Sequence, residues 1–108
     1  AVSRWPREPV AWVGRGTAHY RLGDHLAAPQ DYASALEIDG TLAAARNNLA
    51  QALLDLKCPH RALRELGRID MAALPESLVD AVTATRRDAA SAAAVAVADE
   101  GEKCTFFP

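Results

Sequence analysis

The chain has 108 residues, half of them apolar, enough for one domain with a modest core and too few for a deep active-site cavity. Twelve Lys and Arg against fourteen Asp and Glu give a net charge of −2, with no basic run longer than Arg86-Arg87, so nucleic acid and anionic membranes are not expected partners. The apolar stretches carry charges at helical spacing and none reaches the ~20 residues of a membrane-spanning helix, while the preponderance of alanine over aromatic residues favours close-packed helices over a sheet.

Residues 1–8 fit either the last turn of a preceding helix or an N-terminal tail, and Ala1 stands 34 positions before Ala35. A first helix is predicted from Pro9 or Val10 to Leu22, because proline in a first turn sacrifices no helical hydrogen bond. Gly14 and Gly16 each cost about 1 kcal/mol there, a cost accepted where a neighbouring helix comes close. Gly23 then serves as a left-handed cap and Asp24 as the next N-cap. The second helix, 25–38, sets Ala28, Tyr32 and Ala35 on one stripe. Pro29 would be its fifth residue and would lose a hydrogen bond, which predicts a kink or a later start.

Asp39, Gly40 and Thr41 form a loop, with Thr41 as the expected N-cap of a third helix, 42–56. Its stripe of Leu42, Ala45, Leu49, Ala52 and Leu56 marks it as the most buried. Lys57 occupies the place of Gly23, so the cap is strained or the turn differs. Pro59 opens a fourth helix, using Ala62, Leu63, Leu66 and Ile69 and ending near Asp70, before a connector over 71–75. A last helix, 76–98, repeats Leu78, Val82, Thr85, Ala89, Ala92 and Ala96. At 1.5 Å per residue it runs about 35 Å against about 21 Å for the others, so its second half should project beyond them. The tail, 99–108, reads as disordered. Cys58 and Cys104 are too few for a disulfide framework and lack metal-ligand spacing, which leaves their redox state open.

A shift of 34 residues lays Gly16 on Ala50, Ala18 on Ala52, Ala28 on Ala62 and Tyr32 on Leu66. Two helical patterns repeating at that period signal a stacked array of helix hairpins. These residues resemble the tetratricopeptide repeat family. A first unit, 9–42, has its Trp12, Gly16, Ala28, Tyr32 and Ala35, with Gly23-Asp24 in the turn; a second, 43–75, keeps Leu49, Ala50, Ala62 and Leu66. Departures fall at Arg15, His19 and Gly40, and at Arg46, Lys57 and Ile69. The resemblance implies an all-α, right-handed stack of two antiparallel helix hairpins plus a long capping helix. It also implies a non-catalytic protein-protein interaction scaffold without cofactor or metal. The implied concave face, which holds a peptide or helix, presents Val13, Thr17, Tyr20 and Arg21, then Asn47, Asn48, Gln51 and Leu54, with Val10, Ala44 and Asp55 beside them. Of the family's clamp for a C-terminal carboxylate only Asn48 matches, since Val13 and Thr17 stand where Lys and Asn are needed.

Trp5-Pro6, Gly16, Gly23-Asp24 and Asn47-Asn48-Leu49-Ala50-Gln51, followed by the alanine-rich helix, are also similar to the repeat region behind a papain-like cysteine peptidase domain in bacterial envelope lipoproteins. That similarity implies an accessory domain that positions substrate or docks a catalytic domain, in the cell envelope or periplasm; a plain scaffold fits the cytoplasm equally. Cys58 and His60 sit in one turn without an oxyanion donor or orienting residue, and His19, His25 and Cys58 follow no metal-site spacing, so neither group reads as a site. Ala89, Ala92 and Ala96 offer a seam for helix contact and self-association, or an exposed helix kept formed by alanine alone.

Overall fold

The computed structural model describes residues 8–96 and Cys104. The expected opening turn, Val97 and Ala98, and the tail apart from Cys104 lie outside them; the last helix ends at Val95 rather than running to 98, because Ala96 is already extended at ψ 155°. The described residues form α1 (Pro9–Arg21), α2 (Ala27–Ile38), α3 (Ala43–Asp55), α4 (Pro59–Leu66), a 3₁₀ turn (Met71–Ala73) and α5 (Glu76–Val95), with no strand among them. The domain is all-α. Among the described residues no helix is long and apolar enough to cross a membrane.

Local chemistry sets each boundary. Pro9 begins α1 where its missing N–H would have no helical acceptor. At the other end Gly23 takes φ +80°, and the Gly23 and Asp24 amides donate to the Tyr20 and His19 carbonyls at 3.1 and 2.8 Å. Asp24 is not the N-cap of α2, a position Leu26 holds without a side-chain bond; Asp24 Oδ1 accepts from the Ala27 amide, and α2 starts at Ala27 rather than at His25. Pro29 thus falls in the first turn, where no hydrogen bond is lost. Thr41 is not the N-cap of α3; Leu42 holds that position without a side-chain bond, and Asp39 Oδ1 instead accepts from both the amide and the hydroxyl of Thr41.

The α3–α4 turn repeats the α1–α2 turn without its glycine. Lys57 has φ 65°, and the Lys57 and Cys58 amides donate to Leu54 and Leu53 at 3.0 and 2.9 Å, each partner 34 positions after its counterpart. The backbone therefore accepts a left-handed lysine at a cost of about 1 kcal/mol. Pro59 opens α4 as expected, but the helix stops at Leu66, not near Asp70, where Arg86 of α5 donates to the Leu66 carbonyl at 3.1 Å.

Consecutive helices pack on one another, and α3 additionally touches α1 and α5. Tyr32, Leu49, Ala50, Leu53, Leu66 and Val82 belong to the shared core. A Cβ added to Gly16 would lie 2.8 Å from Tyr32 Cε1, whereas one on Gly14 meets nothing within 4 Å. Close approach thus explains Gly16 but not Gly14.

Three of the departures from the repeat pattern, Arg15, His19 and Arg46, share one cause. Asp31 and Glu65, 34 positions apart, are buried acids on α2 and α4. Arg15 Nε and His19 Nδ1 lie 3.4 and 2.7 Å from Asp31 Oδ2, and the Arg15 guanidinium also stands over the Trp12 ring at 5.9 Å. Arg46, in the place of Trp12, reaches Glu65 at 2.8 Å and the Gly40 carbonyl at 3.1 Å. A buried carboxylate requires such partners, and the helix ahead of it supplies them.

Cys104 breaks with the expected disordered tail. It is 2% exposed, is joined by a disulfide to the fully buried Cys58, and accepts through its carbonyl from Arg61 Nη1 at 3.0 Å. The chain beyond α5 is thereby fastened to the α3–α4 turn.

Candidate functional site

Tyr20 near the end of α1, Gln51, Leu54 and Asp55 near the end of α3, and Thr85, Asp88, Ala92, Val95 and Ala96 along α5 line an open groove of about 650 Å³, closed at one side by Lys57 and Pro59. It exists because α5 packs on α3 and α4 for its first turns and then runs on, Ala89 being fully buried and Val95 88% exposed. Gln51 Nε2 donates to Thr85 Oγ1 at 3.4 Å, tying α3 to α5 where the groove begins. Leu54, Pro59, Ala92, Val95 and Ala96 supply its apolar surface, and alanine there leaves room for a second backbone.

Tyr20 sits at the opposite lip. Its hydroxyl hydrogen-bonds the Asp55 carboxylate, and this acceptor, with partial burial and the adjacent negative charge, pushes its pKa up to about 12. The His25 ring meets the Tyr20 ring edge-on with centroids 6.5 Å apart. Tyr20 is therefore held from two sides. An aromatic body with a committed hydroxyl is a pre-oriented contact that costs little entropy to use.

Of the residues expected on the binding face, Tyr20, Gln51, Leu54 and Asp55 line the groove, and so do Ala92 and Ala96 of the expected helix seam. The others lie elsewhere. Val13 packs against the core, and Thr17 Oγ1 is hydrogen-bonded to the Tyr32 hydroxyl at 3.1 Å, within the α1–α2 contact. Asn47 is 4% exposed, Asn48 is half-buried, Arg21 is exposed outside the groove, and Ala89 is in the core. The reason is positional: Val13, Thr17, Asn47 and Asn48 stand in the early and middle turns of α1 and α3, whereas the groove opens at their C-terminal ends. Thr85 and Asp88 were missed, although they follow Gln51 and Leu54 by 34 positions and the repeat frame extended onto the last helix points to them.

No family model, curated protein or solved structure matches this chain. Function has to be read from the groove itself. Cys58 is consumed in its disulfide, which removes it as a nucleophile or metal ligand beside His60. Two smaller crevices of about 300 Å³ border Arg46, whose charge is already met by Glu65.

Proposed function

We propose that this domain is a non-catalytic protein-protein interaction scaffold, a tetratricopeptide-like right-handed stack in which α1–α2 and α3–α4 are two repeats and α5 caps them. It holds an extended or helical segment of a partner protein in the groove between α1, α3 and α5. The observation that carries the reading is that groove. Residues at equivalent repeat positions, Gln51 with Thr85 and Leu54 with Asp88, come together on it with an alanine-lined wall left uncovered among the described residues. The paired turns at Gly23 and Lys57 and the paired acids Asp31 and Glu65 support the repeat. Mixed aliphatic, amide and carboxylate groups suit recognition of a peptide through backbone bonds and a few side-chain anchors.

The disulfide favours a second, compatible reading. A buried Cys58–Cys104 bond belongs in an oxidising compartment; the bacterial cell envelope is such a compartment, and the role implied there by the second resemblance is that of an accessory domain of a cysteine peptidase, positioning its substrate or docking its catalytic domain. Affinity capture from the producing cells with the domain and with a Leu54→Glu variant tests the scaffold. A protein retained by the first and lost with the second is the expected result; equal capture by both, with the variant folded, would overturn the groove as the binding site.

A further inference from the structure

We infer that the segment held in this groove carries a lysine or arginine side chain flanked by aliphatic residues. The inference rests on the proposed binding groove and adds the chemistry of its occupant. Three charged residues line it: Asp55 on α3, Asp88 on α5 and Lys57 in the turn. Asp88 has no ion-pair partner among the described residues, and Lys57 lies within ion-pair distance of neither acid. Tyr20 gives Asp55 a hydrogen bond but no countercharge. Arg86, two positions before Asp88, is committed to the Leu66 carbonyl. The groove therefore presents two carboxylates, one on each of two facing helices, against one ammonium.

Beside this acidic part lie Leu54, Pro59, Ala92, Val95 and Ala96. A side chain that complements both is a cation at the end of an aliphatic stem, with apolar neighbours covering the alanine wall. An acidic segment would place its carboxylate against Asp55 or Asp88 in a partly enclosed space and be rejected. Both aspartates are exposed, so replacing them leaves the core untouched.

Fluorescence anisotropy with four labelled peptides decides the matter. Each has the sequence Ala-Leu-Leu-X-Leu-Ala-Leu, with Lys, Arg, Gln or Glu at X. The Lys and Arg peptides should bind at least ~10-fold more tightly than the Glu peptide in low salt, and the preference should fall below ~3-fold in high salt and in an Asp55→Asn, Asp88→Asn double variant. Equal binding of the Lys and Glu peptides would overturn the inference while leaving the groove in place. A Lys preference unchanged in the double variant would overturn it too, since the cation would then be read elsewhere. If none of the four binds and the Leu54 and Ala92 amide resonances stay unmoved, the binding groove falls with it.

Discussion

Breaking the Cys58–Cys104 disulfide is expected to remove about 4 kcal/mol of stability. The two cysteines are 46 positions apart, so the bond closes a long loop in the unfolded chain. With the chain-entropy relation for a loop of that length, the unfolded state regains about 13.5 cal/mol/K when the bond is cut, or about 4 kcal/mol at room temperature. That is about a quarter or more of the ~5–15 kcal/mol that holds a domain of this size together. At an unfolding entropy of ~2.1 cal/mol/K per residue it corresponds to a fall of about 15–20 °C in Tm. Arg61 also loses its bond to the Cys104 carbonyl if that residue departs. The assay is urea and thermal unfolding followed by circular dichroism, for the oxidised protein, the protein in reductant, and a Cys104→Ser variant in both buffers. The oxidised protein should stand apart from the other three samples, which should agree among themselves. Coincident curves for oxidised and reduced protein would refute the reasoning, as would a Cys104→Ser variant that still responds to reductant.

Two glycines a half-turn apart should respond in opposite directions. Gly14→Ala meets open space and should stabilise by ~0.5–1 kcal/mol through helix propensity, whereas Gly16→Ala forces a methyl against the Tyr32 ring and should destabilise by ~1–3 kcal/mol. Denaturation midpoints of the pair check this, and shifts of equal sign would contradict the packing. Lys57→Gly should stabilise by up to about 1 kcal/mol by relieving φ 65°, while Gly23→Ala at φ +80° should cost a similar amount; thermal unfolding of both variants is the check. Tyr20, raised from 10.0 to about 12, binds its proton more strongly folded than unfolded, so its contribution to stability is present below pH 10 and is lost as the pH climbs toward 12. Phenolate absorbance in a Tyr32→Phe background should show that late titration, and Asp55→Asn should bring it back toward 10.

Much of the helical order was legible because it depends on local chemistry. Pro9, Gly23, Pro29 and Pro59 constrain the backbone wherever they stand, and all four act at the helix boundaries expected of them. The 34-residue echo even carried the turn at Lys57, where the backbone kept its hydrogen bonds and accepted the lysine. What local pattern could not give was distance. Arg15, His19 and Arg46 read as blemishes in a motif until Asp31 and Glu65, up to 19 positions later, are seen to need them. Two cysteines in a chain carry no separation in space, and the tail that holds Cys104 has no helical period to betray its anchor. The site suffered likewise. A stripe on a helix gives the direction a residue faces but not the level at which neighbouring helices part. Tyr20, Gln51 and Leu54 therefore lie on the groove while Thr17 and Asn47, one turn earlier, do not.

The most direct test of the groove is a two-dimensional NMR titration of the isotopically labelled domain with a peptide selected from a random displayed library. Shifts concentrated at Tyr20, Gln51, Leu54, Thr85, Ala92 and Ala96, and no enrichment of clones on the Leu54→Glu variant, are the expected result. A peptide that binds while those amides stay still, shifting instead the surface around Arg46 and Arg68, would contradict it.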